Sequence, residues 1–509
     1  MEVAGPAARG EGQSAARLPR ARSPPAAPKL SAVSALHQEA SAPAFEAYDF
    51  DPAFFDEAFE GPGTPRPHYA DVLAALAGTD LAALTDDVRR SVDSRGVRFR
   101  AGDHDQPFVV DAVPRIFEAV EWALLEAGLE QRVRALNAFI ADVHSEARIV
   151  SAGRVPERLL EGAEHRETDM AGIDLAGVPH AGVAGLDVVR GADGRLMVLE
   201  DNMRTPSGML YAEAALEAVD ESLEVDVEGR RLGAFRWTML ADVLCQAAPD
   251  GVSDPSIALL SDGPGNSAWW EHETIARRLD IPIVTLADLQ VRDGRVQAWI
   301  DGRSHSLDVV YRRTDEDRLR DERGRPTAMA EALLEPIAAG RLACVNAFGS
   351  GVADDKLVHA YAEEIVRFYL DEEPLVPSVP TYDLAESETR VDCLARLDEL
   401  VVKPRVGHGG HGVVIGPHAG REELDRLGRA IEDAPERFVA QDTVQLSRHP
   451  TVCGGELAPR HVDLRPFVLS DRERVSAVPG GLTRVAFTPG SLVVNSSQAG
   501  GGKATWVLE

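Results

Sequence analysis

The stretch Gly185 to Gly208, GLDVVRGADGRLMVLEDNMRTPSG, constrains this chain more than any other. Residues of high β-propensity flank Ala192-Asp193-Gly194-Arg195, and Asp193-Gly194 is a favoured centre for a two-residue hairpin turn. Pairing Ala192 with Arg195 and stepping outward sets Asp187 opposite Glu200. Directly opposed residues have Cβ atoms roughly 5 Å apart, so two carboxylates there repel unless something neutralises them. The two-residue period of a strand puts Asn202 on the same face as Glu200. Two carboxylates and an amide carbonyl then converge, a hard oxygen set of the kind Mg²⁺ takes beside substrate phosphates.

A chain of 509 residues has room for about three domains, and 44% hydrophobic residues support real cores. The formal net charge of -30 argues against a nucleic-acid binder, which needs basic patches. Cys245, Cys344, Cys393 and Cys453 are far apart and lack metal-ligand spacing, which suits a reducing cytoplasm. No apolar run reaches the roughly 18 to 20 residues of a membrane span, so neither a membrane nor nucleic acid is expected as a partner.

Residues 1–44, rich in Ala, Pro, Arg and Ser, read as a disordered tail, with an organellar transit peptide as the competing reading. Helical periodicity covers Pro114 to Ala127 and Leu129 to Glu146, with Gly128 as the break and Arg115 and Glu121 as helix-surface groups. A helix from about Ser207 follows the hairpin. From Ser256 the pattern alternates strand, turn, helix, strand, which argues for a parallel sheet. One of its strands ends in Arg312-Arg313, which either line a cleft for an anionic substrate or lie half solvated.

The second half holds the remaining candidates. Lys356 opens a helix against the macrodipole, which calls for an anionic partner. Lys403 ends a strand before the glycine-rich turn Gly407, Gly409, Gly410 and Gly412, which can aim backbone N–H groups at an anion. His408 and His411 in that turn are polar loop residues, with no third ligand at suitable spacing. Gly502-Lys503 fails as a phosphate-binding P-loop, because Ser497 stands where the first glycine belongs and Ala504 follows the lysine.

Taken together, the two lysines, the glycine-rich strand-loop-strand, and an Asp followed thirteen residues later by Glu-x-Asn resemble the ATP-grasp superfamily of glutathione synthetase-like ligases. Here the metal hairpin precedes both lysines, so the chain resembles the circularly permuted ATP-grasp proteins from about residue 48 onward. The resemblance implies an α/β (α+β) ATP-grasp fold with two lobes gripping ATP. The segments would be an N-terminal helical layer (45–165), a permuted segment carrying the hairpin (166–250), a pre-ATP-grasp-like α/β domain (251–350) and the ATP-binding lobes (351–509).

The resemblance also assigns Lys356 and Lys403 to the ATP phosphates, the Gly407 to Gly412 loop to a cover over them, and Gln441 to the adenine hinge. Asp187, Glu200 and Asn202 become Mg²⁺ ligands, and Asn495 with Gly500 and Gly501 becomes part of the phosphate segment. Ser207 and Gly208, with Arg312 and Arg313, fall to the substrate. Gln441 stands where many relatives have Glu, and Gly185 where D-alanine ligases have an arginine. The arginine that stabilises the transferred phosphate is therefore open among Arg484, Arg465 and Arg204. The implied activity is ATP-dependent joining of a carboxylate and an amine, on a peptide or amino-acid-like substrate, through an acyl phosphate. Two alternatives stay open: a nucleotide-binding partner protein that has lost ligase activity, and a phosphotransferase. The resemblance also implies a separate α-helical partner protein.

Overall fold

The computed structural model describes residues 45, 47–101, 104–227, 230–231, 237–407, 412–492, 494 and 500–509. Residues 1–44, His408, Gly409, Gly410, His411 and Asn495 lie outside the described residues.

The hairpin forms from Val183–Arg190 and Leu196–Asn202, and Asp187 faces Glu200 as the spacing predicts. The turn differs from the expected one. Gly191 donates its N–H to the Arg195 carbonyl at 3.0 Å, which leaves a three-residue loop closed by Gly194 at φ +80°. That left-handed position suits the glycine. The extra loop residue would shift every pair by one and bring Leu199 opposite Asp187. An irregularity in the ladder between Asp187 and Val188 leaves Leu199 unpaired and restores the register. Because a one-residue slip turns side chains to the opposite face, the bulge is what keeps Glu200 beside Asp187.

Among the described residues, ten strands form one large sheet around this hairpin. Glu456–Arg465 and Phe467–Ser470, separated by Pro466, both pair with Val183–Arg190. Leu482–Ala486 and Gly500–Leu508 follow, and Gly500–Leu508 runs parallel to Val110–Phe117. Every residue of Val183–Arg190 and of Val110–Phe117 is buried. One core holds Phe117, Phe139, Leu186 and Val507, and another holds Ile116, Tyr211, Ala215 and Trp506. Neighbours such as Trp506 and Val507 thus enter different cores, as strand alternation requires. The sheet takes strands from segments expected to be successive domains, so those boundaries mark chain segments that share cores. Residues 45–165 contribute strands as well as helices.

The two helices expected on either side of Gly128 are one helix, Ala119–Val143, and Pro114 to Phe117 belongs to a strand. Gly128 packs so closely on Val376 that a Cβ would overlap its side chain, so close packing, not helix termination, requires the glycine. Pro114 sits where the ladder to Gly500–Leu508 is irregular, so its missing N–H interrupts no regular pairing. Arg115 is fully buried and bonds Glu57 at 2.5 Å, contrary to its expected surface position.

Two of the five smaller sheets among the described residues have four strands each. Ile283–Val284, Ile257–Ser261, Val309–Arg313 and Ala343–Val345 form the expected parallel sheet, crossed over by the helix Trp269–Leu279. Thr381–Asp383, Phe438–Asp442, Leu400–Pro404 and Val414–Ile415 form an antiparallel one. No described helix is long and apolar enough to cross a membrane.

Candidate active site

A cavity of about 580 Å³ is lined by the hairpin, the small antiparallel sheet and the neighbouring strands of the large sheet. On its floor the buried Asp187 accepts hydrogen bonds from Arg465 Nε at 2.6 Å, Arg465 Nη2 at 2.9 Å and Arg484 Nη2 at 2.9 Å. Asp463 and Arg484 are direct ladder partners, and Arg484 also bonds Asp463, its Nε lying 2.8 Å from Oδ1. Burial opposes ionisation of Asp187, but the two guanidiniums overcome it and hold the carboxyl at about 2. The repulsion between Asp187 and Glu200 is thus relieved on one side by arginines. On the other side Lys356 Nζ lies 3.9 Å from Glu200.

This floor retains capacity for a hard cation. An ionised carboxylate offers about four lone-pair positions, and Asp187 uses three. Glu200 is a third exposed, at 33%. Asn202 Nδ2 is buried without a hydrogen-bond partner, and half a turn of that amide presents its carbonyl oxygen to the same space. Among the described residues no three His, Cys, Asp or Glu side chains gather into a metal cluster, so a three-donor site here needs the amide.

The two lysines are brought together by their neighbours. Asp355 caps the helix Lys356–Ala360, accepting from Leu357 N at 2.9 Å. It also binds Arg405 Nε at 2.8 and 2.9 Å, which ties the helix start to the end of the strand Leu400–Pro404. Lys356 Nζ donates to the Gly407 carbonyl at 2.5 Å. Lys403 has no hydrogen-bond or ion-pair partner among the described residues. Burial lowers its pKa from the usual lysine range and Lys356 pushes the same way, against Glu200 and Asp187. Gly407 (φ +118°) and Gly412 (φ +74°) take left-handed backbone conformations at the two ends of the loop.

Leu199, Val401, Ile415, Val444 and Leu446 line an apolar part of the cavity, where Thr443 Oγ1 is buried without a partner. Gln441 contributes to the wall, but its side chain is engaged: Nε2 donates to Thr381 Oγ1 at 2.9 Å and to the carbonyl of the bulged Leu199 at 3.3 Å. It therefore steadies the hairpin bulge.

Several predicted residues lie elsewhere. Arg312 and Arg313 are buried and do not line the cavity. Arg312 binds Asp317 at 2.9 Å, and Arg313 binds the Pro206 carbonyl at 2.6 Å and Glu271 at 3.3 Å. Ser207 lines the cavity, but the Gly208 N–H is taken by Glu271 at 3.1 Å. Gly500 and Gly501 belong to the strand Gly500–Leu508, and Gly501 packs against Phe487, so neither reaches the cavity wall. Lys503 is buried in an ion pair with Asp111, in keeping with the failed P-loop comparison. Arg204 does line the cavity and donates to the Asp315 carbonyl at 2.9 Å.

The sequence reading missed Asp463, Asp354, Arg405 and His165, all in the lining. Asp463 stands two residues from Arg465 on one strand, so period-2 counting would have put it on the same face. Asp354 accepts from Met203 N at 2.5 Å, and burial pushes its carboxyl up to about 7.

Residues 114–486 match the family described as circularly permuted ATP-grasp type 2. An uncharacterized protein of Synechocystis sp. is 38% identical over 473 residues, 90% of this chain and 98% of that protein. A Frankia alni protein provisionally named glutamate–cysteine ligase 2-3 is 41% identical over 479 residues, 90% of this chain and 54% of its own length. The chain thus spans about half of that relative. Among solved structures, a glutathione synthetase like-effector from Globodera pallida in apo form is similar at TM-score 0.56 and 13% identity, covering 84% of this chain and 98% of that one.

Proposed function

We propose that this protein, which belongs to the circularly permuted ATP-grasp type 2 family and has the ATP-grasp fold, is an ATP-dependent carboxylate–amine ligase. The observation that carries the proposal is the unpartnered Lys403 ammonium in the same cavity as the oxygen donors of Asp187, Glu200 and Asn202. Cations and a metal-type donor set within one cavity suit a polyphosphate.

Lys356 and Lys403 would bind the phosphates, with Gly407 and its loop closing over them to exclude water. The apolar wall from Leu199 to Leu446 would take the base, with the chain after Gln441 as its edge. Asp187, Glu200 and Asn202 would hold Mg²⁺, whose charge neutralises the phosphate oxygens. The γ-phosphoryl group passes to a substrate carboxylate, giving an acyl phosphate and ADP. An amine then attacks the acyl carbon, inorganic phosphate leaves, and the amine gives up a proton. Arg484 is assigned the transferring phosphate, because it reaches the floor beside Asp187. Arg465 steadies the same carboxylate, and Arg204, beside Asp315, faces the substrate. An amino-acid-like substrate agrees with the provisional name of the Frankia relative.

Calorimetry of ATP binding with and without Mg²⁺, on wild type and Glu200→Gln, tests this. Mg²⁺-dependent binding that is lost in the variant supports the site, and no binding to wild type overturns it. ADP release that requires both an acid and an amine supports ligation. Release with an acid and no amine, leaving a phosphorylated product, supports phosphotransfer.

A further inference from the structure

We propose that His359 is a positioning residue that fixes the Lys403 ammonium through its Nε2 atom, by way of one bridging water. The proposal rests on the assignment of Lys403 to the nucleotide phosphates. His359 follows Lys356 by three residues on the same short helix and is 5% exposed. Its Nδ1 lies 2.7 Å from Asp201 Oδ2. Asp201 sits on the hairpin between Glu200 and Asn202 and is bound by Arg132 through Nε at 2.6 Å and Nη2 at 2.7 Å.

These contacts decide the imidazole's proton. Arg132 Nη2 also lies 3.0 Å from His359 Nδ1, but it already has a carboxylate acceptor in Asp201. The Asp201 anion, an acceptor only, therefore favours the proton on Nδ1, which leaves Nε2 as an acceptor. That Nε2 is buried and has no partner.

His359, Lys403, Glu200, Gln441 and Thr381 line a second space of about 10 Å³, room for about one water. An acceptor and a cationic donor, both unpartnered among the described residues, thus border one small polar space. A water there accepts one of the three Lys403 Nζ N–H bonds and donates to His359 Nε2, which gives the imidazole its partner and leaves the other two ammonium donors for phosphate. Arg132, Asp201 and His359 then form a chain behind the cavity wall. Through it the hairpin that carries Glu200 and the helix that carries Lys356 set the position of Lys403.

The test is calorimetry of Mg²⁺-ATP binding to the full chain, with thermal unfolding measured beside it. In His359→Asn the amide still reaches Asp201 but leaves nothing at the Nε2 position, so ATP binding weakens roughly tenfold, the loss expected for one hydrogen bond to a charged group. In His359→Gln the longer amide restores a polar group at that position, and affinity returns to within about threefold of wild type. On a Lys403→Ala background, His359→Asn has no further effect. Wild-type affinity in His359→Asn, no recovery in His359→Gln, or losses that multiply in the double variant overturns the proposal. If wild type does not bind ATP, the nucleotide reading fails instead. An experimental structure then decides the present proposal separately: an ordered water joining the two atoms upholds it, and its lack overturns it.

Discussion

Arg312 and Arg313 in the parallel sheet and Lys356 and Lys403 at the cavity are both cation pairs, yet their charges are met differently. The arginines are buried against Asp317 and Glu271, inside the protein. Among the described residues, Lys356 has only a backbone carbonyl and a carboxylate at 3.9 Å, and the Lys403 ammonium has no partner. A buried ion pair is part of the structure, and removing one member strands the other. A half-buried ammonium without an internal partner carries a desolvation cost that an anionic ligand can offset. The difference between the pairs lies in what faces each cation across the fold.

The largest effect is expected from Arg312→Ala, which leaves Asp317 without its closest guanidinium. A destabilisation of about 3–5 kcal/mol is expected by chemical denaturation; a neutral result would mean that the pair is not structural. Glu200→Gln is next. Its one ion pair among the described residues is the 3.9 Å contact to Lys356, so the fold should persist while Mg²⁺-dependent turnover falls at least about a hundredfold, roughly 2.7 kcal/mol of barrier.

Asp187 is held at about 2 against an ordinary 3.8, so between those values the native state binds fewer protons than the unfolded state. Its contribution of about 2 kcal/mol is complete above pH 4 and is lost as pH falls through 2. Stability measured across that window should fall more steeply in wild type than in Asp187→Asn; parallel curves would show that Arg465 and Arg484 do not stabilise the ionised form. The smallest effect is that of Lys403→Ala. ATP affinity should drop about tenfold while the unfolding temperature stays level or rises, because a cation without a partner has been removed. A lowered unfolding temperature would place Lys403 with the structural arginines.

Much of the frame was legible because it is local. Strand alternation and the βα alternation after Ser256 are short-range patterns, and the described elements follow them. The hairpin shows how narrow such success can be: the expected turn was one residue too short and the Leu199 bulge was unforeseen, and the two differences cancel to leave Asp187 opposite Glu200. Gly128 misled because its reason is Val376, nearly 250 residues away in the chain.

By itself the sequence determined the donor types and the face shared by Glu200 and Asn202, since these depend on residue identity and on the two-residue period of a strand; the bulge at Leu199 is what brought Asp187 to that face. Only the tertiary structure decided which charges are satisfied internally. Asp187 meets Arg465 and Arg484, Arg312 meets Asp317, and Asp201 joins Arg132 to His359. The partners of Asp187 and Asp201 come from distant parts of the chain, and ion pairing acts through space, where local periodicity carries no information.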